Sequence, residues 1–146
     1  MSRDLHATAE TYIDPDTRAR LALFAAVINR AIVDAAMPPI KEAAKVRSHR
    51  TRFKANCPRN HAKTACYFLF DDKGGLPFYS QWLEIAPDTF RRLLLEHMYD
   101  KRNYSKFNIH INDMQKRQFR FNYEWFMHKG NIDESMYLRD DSYSGD

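Results

Sequence analysis

The fold is decided at residues 77–99, which read PFYSQWLEIAPDTFRRLLLEHMY. This stretch predicts two short helices, at 78–83 and 88–98, joined by a tight turn at 84–87. Pro87 fits the first position of the second helix, because a proline lacks the N–H group that would have no partner there. The predicted unit is therefore a helix, a turn and a second helix.

The second of these helices is predicted to be amphipathic. Phe90, Leu94 and Met98 are four residues apart and lie on one face, which favours packing against a core. The opposite face carries polar side chains, including two adjacent arginines near the start of the helix. A helix-turn-helix places its base and phosphate contacts at this position. The candidate DNA-contacting residues of this helix are Thr89, Arg91, Arg92 and Glu96.

The spacing QWLEIAPDTFRRLL resembles the helix-turn-helix pattern of sigma-factor region four and of response-regulator output domains. Glu84 departs from that pattern, because its turn position usually holds glycine. Any other residue there must accept a strained or left-handed backbone, or the turn differs. The resemblance implies a regulator that reads duplex DNA with helix 88–98. The matching positions are Leu83, Ile85, Pro87, Thr89, Phe90 and Arg91.

A second resemblance covers residues 62–98. This section looks like a type of small phage-encoded protein, in which an apolar helix ends in an acidic pair and a Phe- and Trp-rich helix-turn-helix follows. It implies a phage protein in the cytoplasm of a host bacterium. Since helix-turn-helix folds are also used for protein contacts, the alternative function is a binding module that inhibits or redirects a host protein.

Two further helices are predicted before this unit. The first starts with Asp14 as cap and Pro15 at its first position, and runs to about residue 36. The second spans 60–70, with Asn60 as cap. Both are expected to pack around Trp82 and Phe90. The buried face of the first helix is Leu21, Phe24, Ile28, Ile32 and Ala35.

The sequence after residue 99 favours a β-hairpin. Apolar and polar residues alternate strictly over 106–111 and over 118–125, with 112–117 as the connection. The predicted fold class is therefore mainly α with a C-terminal β-hairpin (α+β), which would make the helix-turn-helix a winged one. The alternative is a helix over 113–129, with Asn112 as cap and Gly130 as stop, in an all-α fold.

Length and charge indicate one basic domain at 14–130, between a flexible N-terminus at 1–13 and an acidic, disordered tail at 131–146. The chain has 146 residues and a formal charge of +4, and without the tail it contains 22 basic and 14 acidic residues. Seven basic residues and no acid lie within 43–63, which predicts contacts to phosphates. These candidates are Lys45, Arg47, Arg50, Arg52, Lys54, Arg59 and Lys63.

A zinc site is a weaker interpretation of the same segment. Its donors would be His49, Cys57, His61 and Cys66, but the second cysteine of a zinc knuckle is missing, so no metal is expected. The chain also lacks a glycine-rich phosphate loop, a GxSxG motif and an HExxH motif, so neither an enzyme nor a cofactor is expected.

Two cysteines and the absence of a signal peptide favour a reducing, cytoplasmic setting. No apolar run is long enough to span a membrane. The expected partners are duplex DNA or a host protein, and the sequence also allows a homodimer.

Overall fold

The computed structural model describes residues 13–39, 57–99 and 111–138. Within these ranges the protein consists of six α-helices and contains no strand. The helices are α1 (Pro15–Ala35), α2 (Asn60–Phe70), α3 (Leu76–Trp82), α4 (Pro87–Tyr99), α5 (Asp113–Met127) and α6 (Glu134–Tyr137). None of the helices in the described ranges is long and apolar enough to cross a membrane.

Helix α1 begins as its sequence predicts. The Asp14 carboxylate accepts hydrogen bonds from the Thr17 backbone N–H at 3.0 Å and from the Thr17 hydroxyl at 2.8 Å. These bonds lower the pKa of Asp14, because they favour its charged form. The buried residues of α1 all lie in its C-terminal part: Ile28, Ala31, Ile32 and Ala35. The N-terminal half of α1 therefore extends beyond the core.

Helix α2 has the predicted range, 60–70, but its cap is Arg59 and not Asn60. Arg59 has extended backbone geometry and makes no side-chain capping bond. Helix α2 packs against α1 and α5. On its core face, Ala62, Cys66 and Leu69 are fully buried.

Helices α3 and α4 lie within two residues of the two predicted helices. Glu84, in the link between them, has a φ of +59°, so of the alternatives that the sequence left open the left-handed backbone is the one adopted. The Ala86 carbonyl accepts the first hydrogen bond of α4 from the Phe90 N–H at 3.0 Å. Phe90, Leu94 and Met98 are buried as predicted, whereas Trp82 is 46% exposed and does not belong to the core.

The predicted C-terminal β-hairpin is wrong, and with it the winged form of the fold. Residues 113–127 form α5, as in the all-α alternative. The Asn112 side chain accepts a bond from the Gln115 N–H at 2.8 Å, and the Gln115 side chain accepts one from the Asn112 N–H at 2.9 Å. This reciprocal capping box starts a helix, and Gly130, with a φ of +86°, follows its end.

The alternation of apolar and polar residues at 118–125 predicted a strand wrongly, because α5 carries aromatic side chains on several sides. Phe119 and Tyr123 point to the core and contact the Phe70 ring, with centroids 6.2 and 4.6 Å away. Phe121 packs instead on Tyr137 of α6, at 5.0 Å between centroids. An aromatic residue at every second position can therefore belong to a helix when each side of that helix meets a different partner.

Two polar side chains of α5 tie the helices together inside the core. Asn122, 1% exposed, donates to the carbonyls of Ala35 at 2.8 Å and Met37 at 3.0 Å, at the end of α1. Arg120, 3% exposed, donates to the carbonyls of Met98 at 3.0 Å and Tyr137 at 2.8 Å. Arg120 thereby joins α6 to the end of α4.

Candidate interaction surface

Arg91, the central candidate for DNA contact, is bound within the fold. Its side chain is 12% exposed. Its Nε donates to the carbonyl of Leu69 at 2.7 Å, and its Nη1 lies 2.8 Å from a carboxylate oxygen of Asp72 and 3.3 Å from one of Asp88. Its Nη2 lies 3.4 Å from the carbonyl of Asp71. Arg91 therefore caps the C-terminal end of α2 and joins it to α4.

The other candidates on α4 form a mixed-charge surface. Arg92 is 60% exposed, and its Nη1 lies 3.1 Å from a carboxylate oxygen of Glu96, one turn later. Thr89 is half-buried. Asp72 and Asp88 are largely exposed beside Arg91, with side-chain accessibilities of 89% and 96%. The outward face of α4 thus presents acids as well as a base, which does not favour the approach of a phosphate backbone.

The net positive charge of the chain comes from residues outside the described ranges. The described residues contain twelve Lys or Arg and twelve Asp or Glu, so their formal charges cancel. The candidates Lys45, Arg47, Arg50, Arg52 and Lys54 lie outside the described residues.

Arg59 and Lys63, the remaining two candidates for phosphate contact, both have partners inside the fold. Arg59 Nη1 lies 3.3 Å from the sulfur of Met37, and Lys63 Nζ lies 4.7 Å from the centroid of the Trp125 ring. The positive charge of Lys63 is thus placed over an aromatic face, where it stabilises the packing of α2 on α5.

The residues of the weaker zinc interpretation do not converge. Cys66 is fully buried on the core face of α2, while His61 is exposed and Cys57 is half-buried. Burial raises the pKa of the Cys66 thiol to about 12, which keeps it protonated and a poor ligand. Among the residues that the structure describes, no group of three or more His, Cys, Asp or Glu could hold a metal ion. His49 is not among those residues.

A partly buried polar cluster joins the end of α4 to α5. The Tyr99 hydroxyl donates to the Glu124 carboxylate, whose other oxygen lies 3.2 Å from His128 Nε2. Burial and the bond to Glu124 raise the pKa of Tyr99, because both favour the neutral phenol. The cluster holds Tyr99 in its protonated form and fixes the last turn of α4 against α5.

The most unusual surface feature is formed by aromatic side chains that the core does not cover. Phe78 and Trp82 lie four residues apart on α3, and 53% and 46% of their surfaces are exposed. Both rings lie against Phe24 of α1, with centroids 6.1 Å away in each case. We call Phe24, Phe78 and Trp82 the aromatic patch.

A groove of about 470 Å³ runs between α1 and α2. Val27, Ala31, Ala65 and Phe68 give it an apolar lining. Its polar walls include Arg30 and Asp34, which form an exposed ion pair at 3.0 Å, and Thr64 of α2. We call this feature the α1–α2 groove.

Comparisons of the chain with family models, with curated proteins and with solved structures found no match.

Sequence reasoning assigned Phe24 and Trp82 to the core and gave Phe78 no role. The sequence signal for exposed aromatic residues was that α3 carries large apolar side chains on two opposite sides. Leu76 and Ser80 are its buried residues, while Phe78 and Trp82 lie two positions further along on the other side. A seven-residue helix with apolar side chains on both sides has more apolar surface than one core contact can cover.

Proposed function

We propose that this protein is a protein-binding module and that the aromatic patch is its contact surface. The observation that carries the proposal is the exposure of Phe78 and Trp82, held side by side on α3 by contacts with Phe24. Isolated exposed apolar residues are ordinary, but adjacent aromatic rings on one surface are typical of interaction sites.

The exposed area of the two rings sets how much free energy their burial could contribute to binding. Two half-exposed aromatic rings leave roughly 200 Å² of apolar surface in water. Covering that area would contribute about 5 kcal/mol at 25 cal/mol per Å². Tryptophan is also among the residues that most often dominate the energy of protein interfaces.

Contact through α4 as a recognition helix has less support. Arg91 would have to leave the Leu69 carbonyl and the Asp72 carboxylate before it could reach a base or a phosphate. A charged donor in such bonds contributes about 1.5–3 kcal/mol. Arg92, the other arginine of the adjacent pair, already donates to Glu96.

The proposal is tested by capture from a bacterial lysate, the source that the resemblance to phage-encoded proteins implies. The tagged full chain is incubated with nuclease-treated lysate, beside the double variant Phe78→Ser/Trp82→Ser. Met114→Ser is the matched control, because Met114 is 78% exposed on α5 and lies apart from the patch.

The wild type and the control are expected to retain one protein in stoichiometric amount, while the double variant loses it and keeps its helical circular dichroism spectrum. Retention of that protein by the folded double variant would contradict the proposal, and so would a wild-type chain that retains nothing.

A second candidate function is binding of duplex DNA, in this case through the basic segment at 45–63. The observation that favours it is the charge distribution, since residues 40–56 contain six Lys or Arg and one acid while the described fold is neutral. Fluorescence anisotropy titrations at two salt concentrations would test it. Binding that weakens steeply with salt and is lost in Lys45→Glu/Arg47→Glu, but not in Arg92→Ala, is the expected result.

A further inference from the structure

A groove of about 350 Å³ lies along α5 and shares no lining residue with the α1–α2 groove. Met114, Arg117 and Phe121 are three or four positions apart, so they line one face of α5. We call this feature the α5 groove. It is lined by Pro39, Met114, Arg117, Gln118, Phe121 and Tyr137.

The described chain ends at the α5 groove. Tyr137 forms part of its lining and is held there by two contacts. The Nε of Arg120 donates to the Tyr137 carbonyl at 2.8 Å, and the Tyr137 ring lies 5.0 Å from the Phe121 ring between centroids. Leu138 follows as the last described residue. The segment that comes next in the chain, residues 139–146, therefore starts beside the groove.

This segment is long enough to run along the whole groove. Seven residues of α5 separate Phe121 from Met114, which corresponds to about 10 Å at about 1.5 Å per residue. An extended chain covers about 3.3 Å per residue, so the six residues from Tyr137 to Tyr143 span up to about 20 Å. The aromatic ring of Tyr143 is thus within reach of Met114, at the far end of the groove.

The charge of the segment is opposite to that of the groove. Residues 139–146 read RDDSYSGD, with three Asp and one Arg. Arg117 is the only charged residue among the six that line the groove; it is exposed, and it makes no ion pair with another described residue. Asp140 and Asp141 follow the anchored Tyr137 closely, so their carboxylates are within reach of the Arg117 guanidinium.

A segment that is joined to its site needs little affinity to occupy it. A short tether gives an effective concentration on the order of mM. One surface ion pair and one aromatic contact are each weak. At ordinary protein concentrations they therefore favour the segment of the same chain over that of a second copy.

We infer that the α5 groove binds residues 139–146 of the same chain. Asp140 or Asp141 pairs with Arg117, and the Tyr143 ring lies on Met114. The bound segment continues the anchoring of α6 beyond Tyr137 and keeps other ligands out of the α5 groove. The inference is independent of the aromatic patch, which lies on other helices.

Nuclear magnetic resonance of the isotope-labelled full chain tests the inference. The steady-state heteronuclear NOE of each backbone amide is high where the chain is ordered and low where it moves on the ps–ns timescale. Three variants are compared with the wild type at low salt, and circular dichroism confirms that each one is folded.

The variants change charge and leave the core intact. Arg117→Glu reverses the charge of the groove. Arg117→Glu/Asp140→Arg/Asp141→Arg restores opposite charges with their positions exchanged. Arg92→Glu is the matched control, because it reverses an exposed arginine on α4 that does not line the groove.

The amides of residues 140–143 are expected to show NOE values close to those of α5 in the wild type and in Arg92→Glu. Arg117→Glu should lower these values to those of an unstructured chain, and the charge exchange should restore them. Low values in the wild type would overturn the inference, and so would high values that Arg117→Glu leaves unchanged or a charge exchange that restores nothing. Values that rise with protein concentration would assign the segment to a second copy and would also overturn it.

Discussion

Replacing Arg91 with alanine is expected to destabilise the fold strongly, although the residue lies on a helix that faces outward. The variant removes the donor to the Leu69 carbonyl at 2.7 Å and the partner of Asp72 at 2.8 Å. Loss of a charged donor to a buried carbonyl costs about 1.5–3 kcal/mol. The carboxylate of Asp72 is 89% exposed, so its pair with Arg91 adds only about 0.5 kcal/mol. We expect a total loss of about 2–3.5 kcal/mol.

Arg92→Ala is the matched control, because it removes the same side chain one residue later. Arg92 is 60% exposed, and its ion pair within the described residues is with Glu96, so its loss should cost about 0.5 kcal/mol or less. Urea unfolding followed by circular dichroism measures both changes. With a typical dependence of about 1–3 kcal/mol per molar urea, the Arg91→Ala midpoint should fall by about 0.7–3.5 M. Equal midpoints for the two variants would refute the role of Arg91 as a cap of α2.

Three further predictions concern residues that shape the fold. Asn122→Ala leaves the carbonyls of Ala35 and Met37 without their donor and should cost about 2 kcal/mol, seen as a lower thermal midpoint. An unchanged thermal midpoint would contradict the role of Asn122 in joining α5 to the end of α1. Glu84→Gly should stabilise the protein by about 0.5–1 kcal/mol, because glycine accepts the positive φ of this position, while Glu84→Ala should bring no gain. Equal unfolding midpoints in urea for the two variants would show that the positive φ of Glu84 causes no backbone strain. Burial raises the pKa of Cys66 from 9.0 to about 12, so above about pH 9 the unfolded chain loses this proton before the folded one does. Stability should therefore fall between about pH 9 and pH 12, and Cys66→Ala should make this fall shallower. A pH profile that the substitution leaves unchanged would contradict the burial of the thiol.

Much of the helical part could be predicted because its signals are local. The Asp14–Pro15 start of α1, the four-residue stripe of α4 and the left-handed residue at 84 each follow from short-range geometry. The tight turn needs a positive φ whatever surrounds it, and Glu84 adopts it. Local rules of this kind do not depend on which elements meet in space.

The predicted strand at 118–125 was wrong because period-two alternation and a helix with aromatic residues on several sides produce the same pattern. Residues 106–110 of the other predicted strand lie outside the described residues. The Asn112–Gln115 capping box was the local signal that could have decided between them. The role of Arg91 could not be predicted from local sequence patterns either. Arg91 has the spacing of a DNA contact, but its partners lie about twenty residues earlier in the chain. No local pattern shows that a side chain reaches back to cap another helix.

The dissociation constant of the captured partner protein, measured by titration calorimetry for the wild type and for Trp82→Ala, tests the proposed surface most directly. If the aromatic patch is the contact surface, the substitution should weaken binding at least tenfold, which corresponds to about 1.4 kcal/mol. Its unfolding midpoint should stay close to that of the wild type, since Trp82 lies outside the core. An unchanged dissociation constant in the folded variant would contradict the patch as the site of binding.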